Sequence, residues 1–187
     1  MSWYNGCMKV FIAYGIMEGA WHSKRLGSAL KDAGFLTTSS PDHAEVIIAH
    51  SGGCFMLPDK VPAKLILFIG IPNWPGKHPV IGTRDKIRLE AKNWWWYKKT
   101  FYNSVYLFSK PIHWHKMNNN WKAGKLPKNQ DSSVLLLRND DDTYMHNAQS
   151  QKLSKEKGWK YLQIPGQHDD LWANPKPYVE IIKQHLS

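Results

Sequence analysis

Four continuous apolar stretches, each rich in Val, Ile or Leu, constrain the fold of this chain more than any other feature. They are Lys9–Tyr14, Glu45–Ala49, Lys64–Ile71 and Ser133–Arg138. Strands that are apolar at successive positions, and not only at alternate ones, are typical of a parallel sheet covered on both faces. At 187 residues, the chain is long enough for one domain with a substantial buried core.

Weaker patterns predict the remaining elements. Leu26 and Leu30 recur at helical spacing and predict a helix over 21–33, which Gly34 would end. The segments "FLTTS" and "WKYLQI" read as short strands, and further helices are expected over 144–157 and 177–186. Buried strands alternating with helices predict a three-layer α/β/α fold with a mostly parallel central sheet.

The connection between "FLTTS" and "EVIIA" is unusually short. Only the turn-forming "SPDH" region separates them, whereas a crossover between neighbouring parallel strands needs about a dozen residues or more. Two interpretations follow. Either "FLTTS" is not a sheet neighbour of "EVIIA", or the fold is a trimmed version with an unusually open flank.

Three candidate reactive groups follow predicted strands. Ser51 comes after "EVIIAH", the cluster Asp140–Asp142 after "SVLLLR", and His168, in "IPGQHDD", after "KYLQI". Reactive groups of a doubly wound sheet gather beyond the carboxyl ends of its strands. A serine hydroxyl needs a base within hydrogen-bond reach, and that base needs a carboxylate to fix its tautomer. The chain supplies all three kinds of group at suitable places.

These motifs resemble those of the α/β-hydrolase superfamily. They are "AYGIMEGAW" after the first strand, "AHSGG" at the turn that carries the serine, "LLLRNDDDTYM" and "IPGQHDDLW". The chain is most similar to a compact branch of small serine hydrolases, the retinoblastoma-binding serine hydrolase family. The resemblance covers the first 72 residues and the part from about Ser133 onward, and it leaves the segment between them unmatched.

The resemblance implies a role for each motif residue. Ser51 would be the nucleophile, His168 the general base and then the general acid, and Asp142 the orienting carboxylate, with Asp141 as the second choice. In the family, the acid is typically followed by two variable positions and an apolar residue, which "DTYM" provides. The implied reaction is cleavage of a carboxylic ester, thioester or small amide through an acyl-enzyme, without a cofactor.

The resemblance also implies an oxyanion hole. Its two donors would be the backbone N–H of Gly52, directly after the nucleophile, and that of Ile16 in the loop after the first strand. Ala49 stands two residues before Ser51, where the family usually has glycine.

Each candidate residue also has a purely structural interpretation. Ser51 could cap the helix that follows its strand, the Asp140–Asp142 cluster could be a solvated turn or a chance cation site, and His168 could be a surface histidine. The pair His113 and His115 in "HWH" has no cysteine or acidic partner nearby, so we predict no metal site there. His50, beside the proposed nucleophile, is given no catalytic role.

The segment from Trp74 to Lys128 carries the excess positive charge. It holds twelve Lys or Arg against two acids, and the rest of the chain is balanced. The resemblance would make it an insertion forming a cap, with a helix over 84–108 and with "WWWY" facing an aromatic or anionic acyl substrate. Nucleic-acid binding through interleaved cations and aromatics is the less favoured interpretation, because no recognised binding motif appears.

Two further functional alternatives stay open. A noncatalytic relative could bind an acidic partner or nucleic acid through the basic insertion. The stretch "EVIIAHSGG" also resembles the glycine-rich donor-nucleotide loop of some glycosyltransferases, an interpretation that gives His168 no role.

Cysteine usage and hydropathy indicate the compartment. Cys7 and Cys54 are the two cysteines and do not form a disulfide framework. The beginning of the sequence lacks a secretory pattern, and there is no apolar run of about 18 residues. We therefore expect a cytoplasmic protein, of undetermined oligomeric state.

Overall fold

A parallel β-sheet forms the centre of the molecule. The computed structural model describes residues 7–15, 18, 22–71, 111–128, 132–142 and 147–186. Within these ranges, six strands pair side by side, all in parallel, in the order β2-β1-β3-β4-β5-β6. The strands are β1 (Lys9–Ala13), β2 (Leu36–Thr38), β3 (Val46–His50), β4 (Leu65–Ile69), β5 (Ser133–Asn139) and β6 (Lys160–Ile164).

Helices flank this sheet. They are α1 (Lys24–Asp32), α2 (Pro111–Lys122), α3 (Asn147–Lys157), α4 (Asp170–Ala173) and α5 (Lys176–Leu186), with 3₁₀ helices at Pro41–His43 and Ser51–Phe55. None of the helices in the described part of the chain is long and apolar enough to cross a membrane.

One face of the sheet packs against α1 and α5. Val46, Ile48 and Leu67 point to this side and form a single buried cluster with Leu30 of α1 and Ile182 of α5. Side chains at alternate positions of a strand point to the same face. This cluster therefore contains every second side chain of each apolar strand.

The remaining side chains of the same strands form a second cluster on the opposite face. Ile47 and Phe68 pack there with Phe55 of the second 3₁₀ helix, with Leu153 of α3, and with Leu126 in the segment after α2. Because both faces are covered, the central strands must be apolar at successive positions. The predicted three-layer arrangement and its parallel sheet are confirmed.

Several predicted boundaries shift. The first helix begins at Lys24, and it ends before Gly34, whose φ of 85° is the left-handed conformation that suits a glycine after a helix. The described part of the helix predicted over 144–157 begins at Asn147. The predictions did not include α2 or α4. The helix predicted over 84–108 lies outside the described residues.

The short connection before β3 has a simple geometric explanation. The strand β2 pairs with β1 and not with β3, so "FLTTS" is not a sheet neighbour of "EVIIA". Leu36 and Val46 flank β1 near its beginning, opposite Lys9 and Val10 respectively. Since β2 has only three residues, the chain returns a short distance and needs no crossover helix.

The described end of the basic insertion is part of the core. Met117 of α2 and Leu126 are buried, and Trp121 packs against the second hydrophobic cluster. Asn120 donates a hydrogen bond of 2.8 Å from Nδ2 to the backbone carbonyl of Phe55. Residues 111–128 therefore rest against the 3₁₀ helix that begins at Ser51.

Candidate active site

Ser51 occupies a strained turn between a strand and a helix. It directly follows β3, begins the 3₁₀ helix, and has a φ of 52°, in the left-handed region. Among the described residues, no other amino acid besides glycine has a positive φ. Such a conformation is costly for a residue with a Cβ atom and is found at sharp turns that expose a nucleophile. A capping serine normally has extended backbone, and here His50 occupies the N-cap position.

Two glycines allow neighbouring backbone to approach this turn. A Cβ atom at Gly53 would collide with the backbone carbonyl of Ala13, at the end of β1. A Cβ atom at Gly15 would lie 3.0 Å from the Cβ atom of Ser51. The loop after β1 therefore passes directly beside Ser51. Gly52 is buried within the turn, whereas Ile16, the other predicted oxyanion donor, lies outside the described residues.

Asp142 and His168 are brought together at the same edge of the sheet. The Nδ1 atom of His168 lies 2.8 Å from Oδ2 of Asp142. Asp142 is 4% exposed and His168 is 9% exposed, while Asp140 and Asp141 are exposed. Of the acidic cluster, the structure thus pairs Asp142 with the histidine and leaves Asp141 at the surface.

Backbone hydrogen bonds hold the turn that carries Asp142. The guanidinium of Arg138 donates to the carbonyl oxygens of Asp140 and Asp142, at 3.1 and 3.2 Å. The backbone N–H of Asp141 donates to the carbonyl of Gly166, at 2.9 Å. The last contact joins the turn after β5 to the loop after β6, and this explains why the carboxylate and the imidazole meet.

Gly70, directly after β4, leaves room for this pair. Its φ is 59°, and a Cβ atom there would lie 2.7 Å from Cε1 of His168 and 3.2 Å from Oδ2 of Asp142. Contacts below about 3.0 Å are not sustained without a shift of one partner. The glycine in "KLILFIGI" therefore allows His168 and Asp142 to approach the backbone at this position, which the strand pattern did not predict.

A second histidine–carboxylate pair lies beside the first. Nδ1 of His50 is 2.6 Å from Oε1 of Glu18, and Nε2 of His50 donates to the backbone carbonyl of His168 at 2.8 Å. The rings of His50 and His168 have centroids 4.7 Å apart. Sequence reasoning missed this pair, because an isolated acidic residue in "GIMEG", in the loop after β1, does not indicate its partner.

The second pair is charged. Burial alone lowers the pKa of His50. The Glu18 carboxylate, the charge of Asp169 and the hydrogen bond to the carbonyl of His168 together outweigh burial and raise the pKa of His50 to about 9. Burial likewise raises the pKa of Glu18, yet His50 and the backbone N–H of Gly15 lower it to a net value below the ordinary 4.5. At neutral pH the site therefore holds a buried imidazolium–carboxylate pair.

One group of side chains has the spacing of a metal site. Ligand atoms of His50, His168 and Asp169 all lie within 4.8 Å of one another. Both ring nitrogens of His50 are already hydrogen-bonded, so a cation would have to displace Glu18 or the carbonyl of His168. The "HWH" motif lies on α2, where Nε2 of His115 is within 2.9 Å of Nδ2 of Asn119.

Solved structures with a similar fold include an α/β hydrolase, an enol-lactonase and a thioesterase, all of low sequence identity. MGS-M2, an α/β hydrolase enzyme from a Medee basin deep-sea metagenome library, has a TM-score of 0.60 and 10% identity, over 100% of this chain and 91% of that chain. The enol-lactonase from Burkholderia xenovorans LB400 has a TM-score of 0.61 and 10% identity, over 97% of this chain and 92% of that chain. YbtT, a type II thioesterase from the yersiniabactin biosynthetic pathway, has a TM-score of 0.60 and 11% identity, over 99% of this chain and 95% of that chain.

The chain therefore has the fold of the α/β hydrolases. No protein-family model matches the sequence, and no curated protein matches it.

Proposed function

We propose that the protein is a serine hydrolase that cleaves a carboxylic ester, thioester or small amide with Ser51, His168 and Asp142. The observations that carry the proposal are the 2.8 Å contact between His168 and Asp142 and the φ of 52° at Ser51. Ser51 directly follows His50, whose ring centroid is 4.7 Å from that of His168. A strained serine at a strand end and a buried histidine–carboxylate pair are the parts that acyl transfer requires.

The chemistry follows the order in which protons must move. Asp142 accepts a hydrogen bond from Nδ1–H of His168, so that Nε2 is the basic nitrogen. His168 takes the Ser51 proton as Oγ forms a bond to the substrate carbonyl carbon. When the tetrahedral intermediate collapses, His168 gives this proton to the leaving alcohol, thiol or amine. Water then attacks the acyl-enzyme by the same route, with His168 again as base, and releases the acid and the free serine.

The negative oxygen of each tetrahedral intermediate needs donors. The backbone N–H groups of Gly52 and Ile16 would supply them, because Gly52 follows the nucleophile and the loop after β1 passes beside Ser51. Removing one such donor costs a factor of about one hundred or more in rate.

The substrate class follows from bond type and charge. Similar solved structures include an esterase, an enol-lactonase and thioesterases, which is in keeping with an acyl substrate. The excess of Lys and Arg in the segment 74–128 favours an acyl group that is anionic, and its aromatic residues favour one that is aromatic. We assign the chain to the compact branch that includes the retinoblastoma-binding serine hydrolase family. With two free cysteines, we place it in the cytoplasm.

Covalent labelling with a fluorophosphonate probe tests the proposal. The probe should label purified wild-type protein at Ser51, as located by peptide mass spectrometry. Labelling should be lost in Ser51→Ala, and it should be slowed by at least about a thousandfold in His168→Ala, which removes the base. Folding of each variant is checked by circular dichroism. Folded wild-type protein that is not labelled would contradict the proposal and favour a noncatalytic relative that binds an acidic partner.

A further inference from the structure

We propose that Glu18 and His50 form a positioning pair that fixes the backbone of the His168 loop and the loop after β1 relative to Ser51. This inference rests on the proposed function, since it assigns the pair to the same reaction. Neither side chain is given a direct role toward substrate.

The contacts of the pair reach four separate segments. Glu18 accepts hydrogen bonds from the backbone N–H of Gly15 through Oε2, at 2.7 Å, and from Nε1–H of Trp172 through Oε1, at 3.2 Å. His50 donates through Nδ1 to Glu18 and through Nε2 to the carbonyl of His168. One pair of side chains thus links the loop after β1, the end of β3, the His168 loop and α4.

The chemical form of His50 suits this bridging arrangement. Its two acceptors are a carboxylate and a backbone carbonyl, so each ring nitrogen must carry a proton. An imidazolium meets this demand, and neutral imidazole, with one N–H, does not. His50 is fully buried, at 0% exposure. A buried charge is tolerated when it is paired and hydrogen-bonded, as it is here.

The hydrogen bonds of Glu18 and His50 hold backbone next to the proposed catalytic residues, where small displacements change the reaction rate. His50 is covalently joined to Ser51, and its Nε2 holds the backbone of His168 itself, so the bond fixes nucleophile and base relative to each other. The same carboxylate fixes Gly15, whose loop continues into the predicted oxyanion donor Ile16. A misplacement of about 1 Å in such a group can cost about a hundredfold in rate.

Amide substitutions at position 50 distinguish the contributions of the two hydrogen bonds that His50 makes through Nδ1 and Nε2. The amide nitrogen of Gln reaches the region of Nε2 of histidine, whereas that of Asn reaches the region of Nδ1. Both are placed in a Glu18→Gln background, so that no charge is left buried and unpaired. Glu18→Gln/His50→Gln keeps a donor for the His168 carbonyl, and Glu18→Gln/His50→Asn loses that donor.

Steady-state kinetics gives the first readout. We expect kcat of the Asn double variant to be about tenfold or more below that of the Gln double variant, with KM changed less than kcat. The rate of fluorophosphonate labelling at Ser51 should fall in parallel. Urea unfolding of both variants at one pH serves as the control, because a purely structural role would change stability without this split between kcat and KM.

Nuclear magnetic resonance of histidine side chains gives a readout independent of activity. The ring signals of His168 should shift in the Asn double variant and stay close to wild type in the Gln double variant. Equal kcat values together with unshifted His168 signals would overturn the positioning role. If wild-type protein is not labelled at all, the proposed function fails, and the ring signals still report whether His50 positions His168.

Discussion

The part of the chain that the structure describes contains two buried histidine–carboxylate pairs in contact with each other, and the surroundings of the two histidines differ. The contacts are of similar length, 2.8 Å in His168–Asp142 and 2.6 Å in His50–Glu18. His50 is fully enclosed and holds a second acceptor, the carbonyl of His168. His168 lies on a loop and remains 9% exposed.

The difference shows that the hydrogen bonds and burial of an imidazole determine whether it can act as a base. A histidine that bonds two acceptors keeps both protons, and the Glu18 carboxylate raises its pKa to about 9, so it serves as a fixed charge. A general base must take up and release a proton near neutral pH. The comparison therefore leads us to expect different consequences: changes to the first pair should lower the rate most, and changes to the second pair should alter the pH dependence of stability and lower the rate less.

The largest expected effect is on the first pair. Asp142→Asn keeps the size of the side chain but removes the charge that fixes the His168 tautomer, and we expect kcat to fall by about ten-thousandfold. Asp141→Asn is the matched control, because Asp141 is adjacent and exposed and should change kcat by less than about twofold. Ester hydrolysis by both variants measures this. Equal losses would contradict the assignment of Asp142 as the acid.

The Glu18–His50 pair should make the free energy of unfolding depend on pH. The pKa of His50 is raised in the folded protein from 6.5 to about 9, so its stabilising contribution is complete below 6.5 and is lost as the pH rises through 9. The pKa of Glu18 is lowered from 4.5, so its contribution is present above 4.5 and is lost in acid. The pair should therefore stabilise the fold most between these two ordinary values.

This expectation can be measured by urea unfolding. Between about pH 6 and about pH 8.5, the contribution of His50 to the free energy of unfolding should fall by about 2 kcal/mol. Glu18→Gln removes the carboxylate and should abolish this decrease, while other groups titrate equally in both proteins. The window ends below pH 9 because burial also raises the pKa of the Cys54 thiol. Parallel pH profiles for wild type and Glu18→Gln would show that the pair is not charged.

The smallest expected effect concerns the glycine beside the first pair. Gly70→Ala and Gly158→Ala both place a Cβ atom on residues with similar φ, 59° and 67°, and only the first meets His168. We expect Gly158→Ala to lower the free energy of unfolding by about 1 kcal/mol, and Gly70→Ala to lower it somewhat more, because its Cβ atom must displace His168. Gly70→Ala alone should also lower kcat, by about tenfold. Loss of activity in Gly158→Ala of the same size would mean that the loss arises from stability alone.

The prediction of the fold succeeded because a local pattern was sufficient for it: the apolar runs predicted the parallel sheet. The rule that strand ends meet at one edge also predicts that Ser51, Asp142 and His168 share a region, and their role as a triad remains a prediction. The choice of Asp142 over Asp141 came from a resemblance and remains a prediction, although the geometry favours it. The structure also shows why "FLTTS" and "EVIIA" need no long connection, since β1 lies between them.

The Glu18–His50 pair could not be read from the chain. Glu18 and His50 are 32 residues apart, and His50 and His168 are 118 apart, without a spacing rule that joins them. Their contact depends on β3 lying next to β1, which is a matter of strand order. A single acidic residue between glycines gives no local sign of its partner.

The sequence by itself determined the class of fold, because strands buried on both faces must be apolar throughout and can be recognised without knowing their neighbours. It also predicted candidate residues for chemistry, because strand ends and turn residues are local features. Only the tertiary structure decided which carboxylate meets which histidine. That choice depends on strand order, on the turns after β5 and β6, and on the close approaches that Gly53 and Gly70 permit, all of which are long-range contacts.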